Sequence, residues 1–552
     1  MNFEEIIHQL SENTANSLPL FSPELSIVGT IVALLLVRLL GADRHFPGSV
    51  VAIIGTVLAL GLAALQFRDF RVGVSGTGPT SMFTGLLLYD PFTVYFRIFL
   101  LLFLLFVEWL TVVSGIPDAE DAPDFYVLLL GSILGMLLMA SANHLLIIFL
   151  AVEMTSVPSY AMVGFLKGRR DSSEAALKYV VYGAGAAGVM LYGISLIAGL
   201  LGTAQLTVEA GSHVPSVAQA LVEFGKQHSS FTTDPAVRTL AVGILMVLVG
   251  VAFKLSLFPF HFWCPDAFEG AAAEVGGFLS VASKGAAFAL LVRFCLALVG
   301  ENRSAGAPLS ELYMNVGVAL GIVAAVTATF GNLAAYTQTN IKRLLAYSTI
   351  AHAGYMLMAV ASMMVILNAP AVESFSPEAR TASAQTCIQG LLYYLAVYFF
   401  MNLGAFAIVA LVRNQTFSEE IADYAGLVKQ SPVLAVCMLV CLISLVGMPP
   451  FGGFFGKLVV FYSVVEAANL NPVMWVVLIA GIVNTVFSLV YYMRVVKFMF
   501  LSPLPDDARP VDVPAFSDAG WYVLFVSLPV FGLGIFVDWM SNLAHDVAKW
   551  LL

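Results

Sequence analysis

The feature that most constrains this chain is its succession of long apolar runs, each close to or above the ~20 residues that a helix needs to cross a bilayer. They lie near 23–40, 49–66, 91–115, 124–141, 144–166, 174–201, 239–263, 270–299, 312–332, 341–366, 385–412, 431–467, 472–499 and 519–540. Fourteen spans in 552 residues leave little else, and the composition agrees: 60% of residues are apolar and 11% charged, against about 25% charged in a soluble domain. A soluble core is excluded, and 41 Phe, 19 Tyr and 6 Trp exclude a solvated disordered polymer. All spans are expected to be helices, because a lipid-facing strand leaves backbone groups unpaired and no porin-like alternation is present. The expected fold is therefore all-α and integral to the membrane. The acidic start, MNFEEIIHQLSENTANS, lacks the basic n-region and cleavage site of a signal peptide, so the first span is expected to act as its own insertion signal.

An even number of spans puts both termini on one side. Twelve Lys/Arg, Arg44 among them, lie on the side that holds the loops after odd-numbered spans and seven, Arg303 among them, on the opposite side. The positive-inside rule then assigns the first side to the cytoplasm and both termini to the outside. No basic run suited to nucleic acid is present, so no nucleic acid partner is expected. The five cysteines show no CxxC pair and no zinc-finger His spacing, which predicts neither a disulfide framework nor a metal site.

Six cations remain inside predicted spans: Arg97, Lys178, Lys254, Lys284, Arg293 and Lys457. Each is unfavourable by about 2.5–3.5 kcal/mol at a helix centre on insertion scales, and such residues usually face a bundle interior or an aqueous path. Arg97 and Arg293 lie a turn or two from span ends and are expected to snorkel. Lys178, Lys254, Lys284 and Lys457 are candidates for function, with a structural ion pair as the plainer role for Lys178, near the polar start RRDSSEAALKY. Glu153, in HLLIIFLAVEMTSVPSY, is the natural partner for an intramembrane lysine, whereas Glu108 is expected to pair elsewhere or to face another subunit.

Two spans are broken by proline. In VAFKLSLFPFHFWCPDAF, Pro259 removes the hydrogen bond to the Leu255 carbonyl; in LISLVGMPPFGGFFGKLVVF, Pro449, Pro450, Gly452 and Gly453 interrupt the helix before Lys457. Paired broken helices in two halves of a chain point to an ion site near the membrane midplane. Lys254 precedes its break, by the freed carbonyls of a half-helix C-terminus, and Lys457 follows its break, by a half-helix N-terminus. The two lysines are thus expected to differ in proton affinity.

A repeat connects these halves. AVEMTSVPSY (151–160) aligns with AYSTIAHAGY (346–355) at an offset of 195, EAALKYVVY (174–182) with QGLLYYLAV (389–397) at 215, and Pro259 with Pro450 at 191. The polar segment 203–237 is long enough to hold the difference of 24. Five spans per half is an odd number, so the halves are expected to be inverted. GAGAAG at 183–188 matches a dinucleotide fingerprint literally but has no preceding strand, and reads as a helix-packing face. Of the eight histidines only His261 and His352 fall at interesting positions, where a hydrogen-bonded core residue and a proton relay are equally plain readings.

The segments FKLSLFPFHFWCPDAFEGA, FLSVASKGAAFALLVRF, NLAAYTQTNIKRLLAYSTIAHAGYML and SLVGMPPFGGFFGKLVVF resemble the antiporter-like membrane subunits of respiratory complex I, NADH:quinone oxidoreductase, and among them the subunit N (subunit 2) type. The resemblance implies about fourteen transmembrane helices with two inverted five-helix repeats. The implied organisation is three N-terminal helices in 1–120, proton half-channels in 121–300 and 310–500, and a C-terminal helix in 501–552. It also implies a multi-pass subunit of a bacterial inner (plasma) membrane with both termini periplasmic, working in a redox-driven proton pump beside other membrane subunits, a peripheral arm and membrane lipids. No cofactor is implied in this chain; NADH, FMN, iron–sulfur clusters and quinone belong to other subunits.

By the same resemblance Glu153 looks like a fifth-helix glutamate, Lys178 its ion-pair partner on the sixth, Lys254 the central lysine of the broken seventh, Lys284 the eighth-helix lysine and Lys457 that of the broken twelfth, with His261 on a connecting polar path. One departure is EGAAAEVGGF, where Ala272, Ala273 and Glu274 replace a common Pro-containing run. The implied mechanism is electrostatic. Two charges at about 4 Å with an effective dielectric near 20 interact by roughly 4 kcal/mol, so the Glu153–Lys178 separation could switch proton affinity at Lys254. The proton would then pass through Lys284 to Lys457. A multisubunit cation/proton antiporter and a non-pumping scaffold subunit are the alternatives.

Overall fold

The computed structural model of the chain describes residues 3–42, 45–72, 79–118, 120–208, 215–228, 234–300, 309–370, 376–506 and 509–552. Arg44, Arg303 and parts of the 203–237 segment lie outside the described residues. The first part holds α1 (Phe3–Ser17), α2 (Ser22–Leu39), α3 (Gly48–Val72) and α4 (Pro91–Ser114). Next come α5 (Ala122–Ser141), α6 (Leu145–Val163), α7 (Arg170–Leu201), α8 (Val217–Gln227), α9 (Pro235–Leu255), α10 (Trp263–Gly270), α11 (Ala273–Phe278) and α12 (Lys284–Val299). The second half runs α13 (Ser310–Ala335), α14 (Ile341–Asn368), α15 (Pro377–Thr416), α16 (Leu427–Gln430), α17 (Pro432–Val446), α18 (Gly452–Leu470) and α19 (Val473–Leu501), and α20 (Asp518–Ile535) and α21 (Val537–Leu551) complete the chain.

Among the described residues fourteen helices are long and apolar enough to cross a membrane, with Pro432–Val446 as a shorter apolar helix before Gly452–Leu470. The expected span 431–467 is thus a helix broken into α17 and α18. Several short elements were not anticipated, α8 and α16 among them. α1 and α21 are amphipathic helices of 15 residues each, too short and too polar to span, and Thr80–Met82 pairs antiparallel with Leu87–Tyr89 in a hairpin between spans.

Local chemistry fixes the helix ends. Asp90, Asp234, Asn340 and Ser376 accept backbone N–H groups at N-caps, and proline occupies the first turn of α4, α5, α9, α15 and α17, where its missing N–H has no partner to lose. The centre of the molecule is α14, α15 and the α11–α12 run, almost wholly buried, while α2, α3, α7 and α19 keep apolar faces for lipid.

The helix ends repeat. α6 and α14 start at Leu145 and Ile341, α7 and α15 end at Leu201 and Thr416, and α9 and α17 end at Leu255 and Val446. The offsets, 341 − 145 = 196, 416 − 201 = 215 and 446 − 255 = 191, match those read between sequence segments. An isolated bridge recurs at the same corner, His144 with Gln205 and Asn340 with Glu420. Five of the candidate spans separate the starts of counterparts α6 and α14.

Candidate functional site

The first break positions most of the candidate residues. α9 stops at Leu255 because Ser256 turns left-handed (φ 56°) and Pro259 follows. The chain restarts as α10 after a turn that carries His261. Lys254, one residue before the end of α9, is 1% exposed and its Nζ has no hydrogen-bond partner. On α6, the half-buried Glu153 carries an Oε1 that is likewise unpartnered. The two act on each other through their charges. The Tyr160 and Tyr179 hydroxyls, within reach of the Glu153 charge, are also unpaired. Tyr179 stacks on Trp263 at 4.1 Å and meets Tyr160 edge-on at 4.6 Å. Four orphaned polar atoms in one place are rare in a protein interior.

Lys178 makes the structural ion pair that its sequence context suggests and not the pair with Glu153 that the resemblance implies. Its Nζ binds Asp266 Oδ2 at 2.7 Å and Glu174 Oε1 at 2.9 Å, not Glu153. The reason is the break: reversing the chain after Pro259 packs α10 against α7 and brings Asp266 to the lysine. Asp266 also takes Arg343 of α14 at 2.7 Å, and Glu269 takes the same guanidinium, so this cluster bridges the two halves. Asp266 lay inside the sequence segment that first drew attention, yet only the turn of the backbone reveals its role.

The freed carbonyls are taken by other lysines than expected. Lys284 donates to the Leu255 carbonyl at 2.7 Å and to Ser256 Oγ at 3.0 Å. Lys457 donates to the carbonyls of Leu445 at 3.1 Å and Val446 at 2.9 Å, and lies 4.5 Å over the Tyr355 ring. Helical side chains lean toward the N-terminus of their helix. Lys457, in the second turn of α18, therefore reaches back across the break to the C-terminal end of α17 rather than sitting at a half-helix N-terminus. Lys254 leans away from its own freed carbonyls for the same reason. Gly447 makes the reach possible: its φ is +86°, and a Cβ there would lie 2.9 Å from Lys457 Cδ.

A π-helical segment, Leu279–Ser283, immediately precedes Lys284, a distortion that is frequent at functional positions. His261 is 2% exposed, packs among Phe258, Phe262 and Phe330, and its Nδ1 has no partner. In the second half His352 Nδ1 meets the Tyr394 hydroxyl at 2.6 Å, Tyr492 bonds Ser348, and Tyr355, Asn332, Tyr491 and Asn484 continue the chain of polar contacts. Of this network the sequence offered only His352, since tyrosine in an apolar helix gives no signal of its own.

Arg97 and Arg293 do not snorkel. Arg97 is fully buried and pairs through Nε with Glu24 at 2.7 Å, while Arg293 holds Asp90 with two hydrogen bonds of 2.7 and 3.0 Å. Each finds a carboxylate on a distant segment, which a desolvated guanidinium needs. Glu108, also fully buried, accepts from Thr56 at 2.9 Å.

With this geometry in view, comparison with known proteins is direct. A family described as NADH:quinone oxidoreductase/Mrp antiporter, TM matches residues 142–369 and 379–488, the region of the repeats. The chain is 37% identical over 541 residues to NADH-quinone oxidoreductase subunit N of Anaeromyxobacter sp. (strain Fw109-5), covering 96% of each. It is similar to a chain of the respiratory complex I from Thermus thermophilus, 27% identical with a TM-score of 0.69, over 95% of this chain and 99% of that one. A chain of the Mrp complex from Dietzia sp. DQ12-45-1b shares the fold, with a TM-score of 0.73 at 18% identity over 97% of each. The lysine-bearing broken helices fall inside the matched region, and the chain belongs to the NADH:quinone oxidoreductase/Mrp antiporter family of membrane subunits, within it to subunit N of the NADH-quinone oxidoreductases.

Proposed function

We propose that this chain is a proton-translocating membrane subunit of NADH:quinone oxidoreductase, coupling NADH oxidation and quinone reduction elsewhere in the complex to proton transfer along Glu153, Lys178, Lys254, Lys284, His261 and Lys457. The observation that carries this reading is the unpartnered Lys254 ammonium facing an unpartnered Glu153 in a bilayer-spanning bundle. A buried charge left without hydrogen bonds is unfavourable by several kcal/mol, and a fold keeps one where ionisation is itself the function. On this reading residues 121–300 and 310–500 are the two half-channels, flanked by three helices in 1–120 and one in 501–552. The redox cofactors NADH, FMN, iron–sulfur clusters and quinone sit in partner subunits. The membrane is the bacterial plasma membrane and both termini are periplasmic.

The mechanism is a change of partner. With Lys178 held by Asp266, the Glu153 carboxylate acts on Lys254 alone and favours its protonated form. When Lys178 leaves Asp266 for Glu153, that carboxylate is neutralised and Lys254 releases its proton toward Lys284. At about 4–8 Å and an effective dielectric near 20, the Glu153 charge is worth roughly 2–4 kcal/mol to Lys254. That is enough to move a protonation equilibrium by more than tenfold.

The test is NADH:quinone turnover and proton uptake in membrane vesicles, normalised to assembled complex. Glu153→Gln lowers both while assembly is kept, and Glu153→Asp retains a good part. A Gln variant that outperforms Asp overturns the charge-switch reading. Uptake that depends on sodium and persists without NADH-linked turnover would instead favour the antiporter reading that the shared fold with the Mrp complex allows.

A further inference from the structure

The strongest unused group is Glu274, in the first turn of α11. It is 1% exposed, and neither carboxyl oxygen has a hydrogen-bond partner. Ser114 of α4 faces it, and the Lys342 and Arg413 charges, from α14 and α15, act on it; Tyr522 of α20 feels its charge in turn. Lys342 donates to the Ala271 carbonyl at 2.7 Å and pairs with Glu419 at 2.8 Å, which Arg413 approaches at 3.7 Å. The Arg413 and Glu419 side chains are 25% and 12% exposed, so this cluster leads from Glu274 to the edge of the bundle.

A second set of orphaned atoms leads the other way. Ten residues along the same helical run, roughly 15 Å at 1.5 Å per residue, is Lys284. Between them stand Ser280, bonded by Asn402 Nδ2, the Asn402 Oδ1 that has no partner, and the Ser283 Oγ that has none either. Asn402 and Ser283 are at most 1% exposed. The π-helical stretch Leu279–Ser283 turns these positions away from regular helical register. Unpaired buried oxygens spaced along a run are sites that water satisfies, and water between hydroxyls carries protons.

We propose that Glu274 is a proton-intake carboxyl, and that Ser280, Asn402 and Ser283 line a hydrated branch from it to Lys284. The Glu274 carboxylate takes a proton from the Lys342–Glu419–Arg413 end and becomes a neutral acid. It then passes a proton through water and the Ser283 hydroxyl, which gives its own hydrogen onward as it accepts another, to the neutral Lys284 amine. The amine becomes an ammonium and the carboxylate is restored. This rests on the proton-translocation reading above and adds a route into it.

The experiment uses the assembled complex in membrane vesicles. Glu274→Gln keeps volume but cannot cycle a proton, and is expected to slow proton uptake and turnover on the order of tenfold, with Glu274→Asp restoring most of both. Ser283→Ala removes the orphaned hydroxyl and is expected to slow uptake several-fold. Wild-type uptake in Glu274→Gln, or in Ser283→Ala, overturns the branch. Should Glu274→Gln fail to assemble, Ser283→Ala decides: slowed uptake supports the branch and wild-type uptake refutes it. Lys254→Met run in parallel separates the two levels. Pumping that survives it sinks the translocation reading itself, whereas a dead Lys254→Met beside wild-type Glu274→Gln and Ser283→Ala sinks only the intake branch.

Discussion

Replacing Lys254 with methionine separates a proton carrier from a structural cation by the size of one number. Lys254 is 1% exposed with no hydrogen bond to its Nζ. Holding a lysine at that depth is unfavourable by about 2.5–3.5 kcal/mol on insertion scales. Attraction to Glu153 returns roughly 2–4 kcal/mol of this when both are charged. Methionine has nearly the same length and no charge, and the half-buried Glu153 can take up a proton once its partner is gone. The balance is a stability shifted by no more than about 1.5 kcal/mol in either direction. A lysine holding the fold together through a buried pair would instead cost about 3–5 kcal/mol on removal. Turnover, by contrast, falls: Lys254→Met should lose at least about tenfold, equivalent to 1.4 kcal/mol on the barrier. Lys254→Arg should fail as well, because a guanidinium with a pKa above about 12 keeps its proton through the cycle. The assays are thermal unfolding of the purified complex by tryptophan fluorescence, assembled yield on native gels, and NADH:quinone turnover with proton uptake. The reasoning is refuted if Lys254→Arg pumps like wild type, or if Lys254→Met unfolds the complex while coupling survives in what remains.

Three further outcomes follow from the same geometry. Lys457→Arg should keep the bonds to the Leu445 and Val446 carbonyls, and hence assembly, yet abolish uptake; Lys457→Met should lose uptake and also strand those carbonyls, a penalty of about 1–3 kcal/mol that thermal unfolding would register. Gly447→Ala should be destabilised by about 1–2 kcal/mol from its left-handed φ of +86° alone, and should lower turnover because its Cβ displaces Lys457; a variant with wild-type stability and turnover would count against the reach across the break. A C-terminal reporter active only in the periplasm should be active, as the twelve-to-seven cation asymmetry predicts; activity of a cytoplasm-only reporter would reverse the orientation.

The backbone plan was legible because it rests on local chemistry. Apolar length gives the spans, proline and glycine give the breaks, and repeated segments give offsets that one end of each of three helix pairs matches within a residue. Pairing was not legible. Glu24 lies 73 residues from Arg97 and Asp90 lies 203 from Arg293, so no local pattern joins them, and both arginines read as snorkelling residues when each was a buried partner. Lys178 was legible in part: Glu174, four residues before it, supports the structural ion pair read from RRDSSEAALKY, but only the turn after Pro259 delivers Asp266. The misplaced half-helix dipoles had a different cause. Position in sequence relative to a break is not position in space: the backward lean of helical side chains carries Lys457 across its break and Lys254 away from its own.

That lean divides the proposed work among the lysines. Lys284 and Lys457 each touch two oxygen acceptors, backbone carbonyls among them, at the C-terminal end of a half-helix. A neutral amine still carries two hydrogens, so either lysine can give up a proton and keep its place, losing only the charge-dependent share of the bonds and the dipole, about 0.3–2 kcal/mol for the latter. Their positions are therefore insensitive to their charge, which suits residues that receive and pass on a proton. Lys254 has no such anchor. What acts on it is desolvation against one carboxylate, so its protonation follows the partner Glu153 has, and Glu153 can change partner only because Lys178 has a second acid, Asp266, to rest on. Asp266 in turn is tied through Arg343 to α14 of the other half. A movement of α14 that loosens Arg343 from Asp266 thus alters the hold on Lys178, then the charge seen by Lys254, which couples α14 of the second half to the first broken helix through ion pairs without requiring that helix to unfold.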